Sequence, residues 1–226
     1  MKKGDIIEFG KYPQGADGSV LPIEWIVLDV NEKEALLISR HGLERKKYNE
    51  TRTPITWEDC DLRKWLNNDF LKYAFSEEEI QRIKFSELKN KDTLLPRELL
   101  MGEVLIIGGN DTKDRIFCLS VDEIEQYFNS DDDRACNTTS HVYSSVHTEK
   151  GFNPISFCYY SREKGYCCTW WLRSPGWNQD SATCVGGGSI NHMGYYVNHN
   201  SFVVRPALRI TRNPSVFSKF LRYFYS

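Results

Sequence analysis

Between Ser174 and Val204 the chain carries no Lys, Arg or Glu, and Asp180 is its only charge. The whole chain of 226 residues is 27% charged, so this segment departs from the rest. Ser, Thr, Asn, Gly, Tyr, Trp and His fill it instead. Strand-like runs flank it, Trp170-Trp171-Leu172-Arg173 before and Phe202-Val203-Val204-Arg205 after. A glycine cluster, Gly186-Gly187-Gly188, breaks it in the middle. The pattern predicts a loop-rich part, about residues 131–210, held between strands.

The preceding chain divides in two. Residues 1–56 read as β. Ile23-Glu24-Trp25-Ile26-Val27-Leu28-Asp29-Val30 is rich in β-branched and aromatic residues, and Ala35-Leu36-Leu37-Ile38-Ser39 resumes after the polar turn Asn31-Glu32-Lys33-Glu34. That is a hairpin pattern. Asp5-Ile6-Ile7-Glu8-Phe9 predicts a further strand, stopped by Gly10 and Pro13. Residues 57–130 read as helical. Leu62, Trp65, Leu66 and Leu71 recur at helical spacing. Ser76 with Glu79, and Ser120 with Glu123, form two capping boxes. A short strand, Arg115-Ile116-Phe117-Cys118-Leu119, lies between them. Strands, then helices, then glycine-broken strands indicate an α+β fold rather than a parallel α/β sheet. No linker divides the chain, so residues 1–226 are read as a single domain, with 211–226 as its tail.

Several functional classes find no support. Basic and acidic residues number 29 and 31, which argues against the electrostatic footprint of a nucleic-acid binder. The longest apolar stretches are strand-sized, so no membrane span is expected. No apolar run of signal-peptide length follows Lys2-Lys3, and the seven cysteines are then expected as reduced thiols in the cytoplasm. A phage-borne or surface-associated setting is the alternative. His141, His147, His192 and His199 lack the spacing of a zinc helix, and Asp131-Asp132-Asp133 lacks an EF-hand frame. No CxxC pair occurs. No metal site, cofactor or catalytic residue is therefore assigned.

Cys167-Cys168-Thr169-Trp170-Trp171-Leu172-Arg173-Ser174-Pro175-Gly176 precedes Ala182-Thr183-Cys184-Val185, a glycine turn and Val203-Val204-Arg205-Pro206-Ala207-Leu208. This order resembles a bacterial family of unknown function. Gly4-Asp5-Ile6-Ile7-Glu8-Phe9-Gly10, Ile23-Glu24-Trp25 and Leu62-Arg63-Lys64-Trp65-Leu66-Asn67 are similar to that family too. The resemblance implies a C-type-lectin-like fold, shared with formylglycine-generating enzymes and with the variable proteins of diversity-generating retroelements. In such folds the C-terminal strands and loops present a binding face on a rigid frame.

The candidate face is then Trp177, Asn178, Asp180, Ser189, Asn191, His192, Tyr195, Tyr196, Asn198, His199 and Asn200. Tyr and Trp give contact area at low entropy cost, while Ser and Asn give adaptable hydrogen bonds. Asn, Ser, Tyr, His and Asp are also what randomised adenines in AAC-type codons encode, as a retroelement variable protein requires. The bland alternative is a polar loop region that avoids long charged side chains. The expected ligand is a protein or a carbohydrate. Trp177, Tyr195 and Tyr196 are expected to cluster at the surface, with Trp25 and Trp65 buried. Of Trp170 and Trp171, one ring is expected in the core and one covering it. Arg173 and Arg205 are expected to grip carboxylates.

Two other classes stay open. A formylglycine-generating type of enzyme would draw on Cys167, Cys168 and Cys184, whose spacing does not match that family's active pair. A structural subunit of a phage or surface assembly would use the apolar, basic tail from Val216 to Tyr225.

Overall fold

The computed structural model describes residues 1–95, 104–148, 158–161 and 165–212. The tail after Arg212 lies outside the described residues, and so does any role for it.

The chain starts with β1 (Ile6–Pro13), β2 (Val20–Val30), β3 (Glu34–Ser39) and the short β4 (Glu44–Arg45). The alternation in β2 places Ile23, Trp25 and Val27 inward. A bulge between Val27 and Asp29 then turns Leu28 inward as well. Ala35 to Ser39 are all buried, so β3 is covered on both faces. The expected stop at Gly10 is instead a bend: β1 continues to Pro13 through a bulge between Glu8 and Lys11. Gly10 has a φ of +68° there, and a Cβ on it would lie 2.5 Å from the Phe75 ring.

The helical part comprises α1 (Asp61–Trp65), a π-helical turn (Leu66–Phe70), α2 (Leu71–Ala74) and α3 (Glu77–Arg82). Leu62, Leu66, Phe70 and Ala74 are buried and repeat every fourth residue. An ideal α-helix drifts off such a repeat, and the wider π turn takes up the drift. Both capping boxes form as expected. Glu79 also accepts from Gly10 N–H at 3.0 Å, so the cap of α3 fixes the bend in β1.

Short strands β5 (Ile83–Lys84), β6 (Ser86–Leu88), β7 (Thr93–Leu95), β8 (Val104–Ile106), β9 (Thr112–Asp114) and β10 (Ile116–Phe117) lead into α4 (Val121–Tyr127). Then come α5 (Asp131–Arg134), α6 (Ser140–Thr148), β11 (Cys158–Ser161) and β12 (Gly165–Pro175). The chain continues through β13 (Ser181–Gly186), β14 (Ser189–Tyr196), β15 (Val203–Val204) and β16 (Ala207–Thr211). Among its described residues the expected loop-rich part instead holds α5, α6 and the strands β11 to β16. Ser189, Asn191, Tyr195 and Tyr196 sit on the β13–β14 hairpin, whose glycines and bulge mask the period-two pattern.

Two sheets share the closing segment. One has the order β1-β2-β3-β16-β10, with β5 also on β16. The other has the order β14-β13-β12-β15-β4, with β11 on β12. Ala207 pairs with Ile38 and Ile210 with Ala35, so the last strand completes the N-terminal hairpin. Phe202 to Leu208 are all buried, in line with a strand covered on both sides. The fold is mixed α+β with strands predominating.

Trp65 is half-buried instead of buried as expected. The expectation for the tandem tryptophans needs correction too. Both Trp170 and Trp171 are 0% exposed, because β12 is a central strand packed on both faces. Arg173 meets its expectation through Glu123, and it also donates to the carbonyl oxygen of Cys118 at 3.0 Å. Arg205 grips no carboxylate among the described residues. Its Nε donates to the Ser39 carbonyl oxygen at 2.9 Å and its Nη1 to that of Arg134 at 3.2 Å. Its guanidinium lies 5.0 Å from the Trp170 ring centroid. Arg205 is thus a tie between the two sheets and α5.

Candidate functional site

The hairpin β13–β14 builds the site. Its turn uses Gly187 and Gly188 with φ of +60° and +97°, the double left-handed conformation that matches strand twist. A Cβ on Gly188 would lie 1.9 Å from the Asp131 carbonyl oxygen, so α5 seats directly on this turn. Arg134 donates to the Gly188 carbonyl oxygen at 2.8 Å, and Ser189 Oγ bonds Asp131 at 2.6 Å. At the other end, Asn191 pairs with Cys184 and Tyr195 with Ala182, leaving a bulge in β14. Asn191 Oδ1 accepts from Gly194 N–H at 3.0 Å inside that bulge. Ser189 and Asn191 therefore shape the hairpin itself.

Consecutive residues of a strand face opposite sides, so Tyr195 and Tyr196 part company. Tyr196 turns to Trp177, with ring centroids 6.3 Å apart. The Arg52 guanidinium stacks 3.2 Å over the Tyr196 ring and pairs with Asp180 at 2.7 Å. The two rings are half-buried. Gln179 ties this corner to its neighbours, donating to the carbonyl oxygens of Ile55 at 3.2 Å and Ile107 at 2.9 Å.

Tyr195, 36% exposed, lies on the other side. Its centroid is 4.9 Å from Phe202 and 5.3 Å from His199. Phe202 stacks 4.7 Å from Trp171, which connects this exposed edge to the core. Asn198 and Asn200 are exposed on the connection to β15. The expected single cluster of Trp177, Tyr195 and Tyr196 is thus two clusters on the two faces of β14. His192 belongs to neither. It lines a cleft of about 260 Å³ together with Asn90, Arg173, Ser174 and Thr183. Asn178 keeps its Oδ1 buried with no hydrogen bond among the described residues, while its backbone closes the turn onto Ser181.

Arg52 and Gln179 belong to the site but not to the sequence-based set. Arg52 is 128 residues from Asp180, and nothing local in Asn49-Glu50-Thr51-Arg52-Thr53 marks it. Only the fold reveals the pair.

Burial holds the His199 imidazole below its ordinary value of 6.5. A buried neutral histidine binds fewer protons than the unfolded chain, so stability is full above the unfolded pKa and falls as pH drops through the folded one. His41 carries the same sign, from burial first and Arg40 second. Thermal unfolding followed from pH 8 to 5 is expected to show that decline, and His199→Gln is expected to flatten it. An unchanged slope in His199→Gln would sink the assignment.

The fold defines a mixed α+β protein that carries an aromatic and polar C-terminal hairpin. The chain belongs to the family described as Domain of unknown function (DUF6273), whose model matches residues 32–212. The resemblance seen in residues 4–25 lies outside that match. No curated protein and no solved structure matches the chain. Among the described residues no helix is long and apolar enough to cross a membrane.

Proposed function

We propose that this chain is a binding module on a C-type-lectin-like frame, with the β13–β14 hairpin and the adjoining loop 46–55 as its contact face. The observation that carries this reading is the Arg52–Asp180–Tyr196–Trp177 cluster. It brings together segments distant in sequence, and aromatic and arginine side chains are the usual anchors of interfaces. Gln179 hydrogen-bonds the backbone of Ile55 and Ile107, which holds the cluster in one place. The closing of the N-terminal hairpin by the last strand, beside a second sheet led by β12, β13 and β14, supports the lectin-like arrangement. A face diversified by a retroelement would spare Ser189 and Asn191, because those side chains hold the hairpin.

A binding role rather than a thiol-based catalytic one fits the cysteines. The six described thiols are all buried. Burial pushes Cys184 up to about 12, where the nucleophilic thiolate is scarce near neutral pH.

A glycan array and a displayed peptide library probe the two ligand classes. A ligand selected on either is expected to lose roughly tenfold or more in affinity in Tyr196→Ala and in Arg52→Ala, as interface anchors do. The melting temperature should stay within a few degrees, because both residues lie at the surface. Ligands that bind all of Trp177→Ala, Tyr196→Ala and Arg52→Ala as well as the parent would refute this face.

A further inference from the structure

β14 is the terminal strand of its sheet, with β13 on one side and no strand among the described residues on the other. Natural sheet edges are usually blunted by charges or proline, because their unpaired backbone groups accept foreign strands. β14 carries no Asp, Glu, Lys, Arg or Pro along its eight residues. The gap in long charged side chains that sets this part of the chain apart therefore runs along an open sheet edge.

The turn fixes which backbone groups face outward. Gly187 and Gly188 make a two-residue turn, and in such a turn the flanking residues, here Gly186 and Ser189, exchange hydrogen bonds. Successive residues of a ladder point their backbone groups to alternate sides. The N–H and C=O of Ile190, and the N–H of His192 after the paired Asn191, then point away from β13. None of the three has a hydrogen-bond partner among the described residues. The free stretch is short: it runs from the turn, where α5 is seated on Gly188, to the bulge at Gly194.

A cleft lies beside the same edge. Ile190 and His192 share a face of β14 by alternation, and His192 lines the cleft of about 260 Å³ with Lys91, Asp122, Arg173 and Thr183. A strand laid along β14 would place the side chain opposite His192 over this cleft. Its walls are polar and of both charge signs, with Lys91 paired to Asp122. Backbone pairing then supplies adhesion while the cleft reads one side chain, as in strand addition generally.

A second copy fits this edge poorly. Paired antiparallel about Asn191, it would set its own bulged Met193 opposite Ser189, where α5 is seated through Asp131. A sugar lacks the regular row of amides that such an edge matches. An extended polypeptide without a bulge meets both conditions.

We propose that β14 takes up one extended segment of a partner protein as an added strand, with a polar side chain of that segment in the cleft beside His192. The proposal rests on the hairpin as the contact face and narrows its ligand to a polypeptide. Short linear peptides selected from a displayed random library on the full chain, then resynthesised and titrated by calorimetry, test it. N-methylation of a selected peptide is expected to cost roughly tenfold at one alternate set of positions and little at the other, since only one set of amides faces β14. The peptides should share a polar residue at a sensitive position, because those residues put their side chains on the cleft face. With peptide bound, the Ile190 and His192 amides are expected to exchange hydrogen roughly tenfold more slowly. His192→Pro removes an outward N–H and leaves the β13–β14 ladder intact, so it should weaken the peptide roughly tenfold with a melting temperature close to the parent's. His192→Ala keeps that N–H and should weaken it less. Equal tolerance of N-methylation at every position overturns the proposal. So does unchanged exchange at Ile190 and His192, or parent-like binding in His192→Pro. A peptide that needs Arg52 and Tyr196 but leaves those two amides exchanging freely overturns it while sustaining the contact face, and selection of glycans alone does the same. A parent chain that dimerises in sedimentation, and turns monomeric as His192→Pro, assigns the edge to a second copy and also overturns it.

Discussion

Replacing Trp171 by alanine is expected to destabilise the protein by about 3–5 kcal/mol, the range for truncating a buried aromatic side chain. The ring is 0% exposed and lies between Phe202 at 4.7 Å and Tyr48 at 5.8 Å. Its Nε1 donates to the Lys46 carbonyl oxygen at 2.9 Å, which ties β12 to the connection after β4. Alanine would open a cavity and strip that carbonyl of its donor. Trp171→Phe keeps a ring and loses the hydrogen bond, so about 1–2 kcal/mol is expected from the unpaired group and the smaller volume. Urea unfolding of both variants measures this. A loss under about 1 kcal/mol for alanine would show that the site collapses around the gap, contrary to the close packing seen here. Phe202 backs Tyr195 and His199, so Trp171→Ala should also disturb their edge of the hairpin, visible in their NMR shifts.

The second large effect centres on Asp114. Its carboxylate is 2% exposed and accepts from Trp57 Nε1 at 3.0 Å, from Arg63 Nε at 2.8 Å and from Thr112 Oγ1 at 3.0 Å. Arg63 Nη2 adds an ion contact at 2.7 Å. Asp114→Ala would leave the Arg63 guanidinium and the Trp57 N–H without their acceptor. Arg63 is partly exposed and still donates to the Glu58 carbonyl oxygen at 2.6 Å, so the loss is expected at about 2–3 kcal/mol, below the full cost of breaking a buried pair. Asp114→Asn keeps the shape and should cost less. The double variant Arg63→Met/Asp114→Ala is expected to be more stable than Asp114→Ala alone, since it removes the orphaned charge. If the double variant loses the sum of the two single losses, the pair is not coupled and the account fails.

Local patterns carried much of the fold. The β2–β3 hairpin was legible because Ile23, Trp25 and Val27 alternate and Asn31 opens a polar turn. Both capping boxes were legible because their signal spans only four residues of chain. The C-terminal hairpin was not, because β14 carries a bulge at Gly194 and has only Ile190 and Met193 as aliphatic residues. A bulge breaks the two-residue period on which strand reading depends. That same bulge and strand alternation divide Tyr195 from Tyr196, which a linear reading had grouped. The buried fate of both Trp170 and Trp171 depends on β12 lying inside its sheet, a fact of strand order and not of neighbours in sequence. Arg52, Asp114 and Arg205 all act across long separations. Their partners are set by topology, so their types were visible while their roles were not.

The pairing of β16 with β3 has a consequence for synthesis. Leu37 must wait for Leu208, and a ribosome adding ~5–20 residues per second needs about ten seconds or more to deliver that partner. Through that interval the inner edge of the N-terminal hairpin, apolar on both faces, has no native neighbour. Folds closed by such distant pairings form slowly, and their nascent chains are prone to sticking to one another. Output of well-folded material should then depend on how fast translation runs and on which holdase chaperones attend the emerging chain.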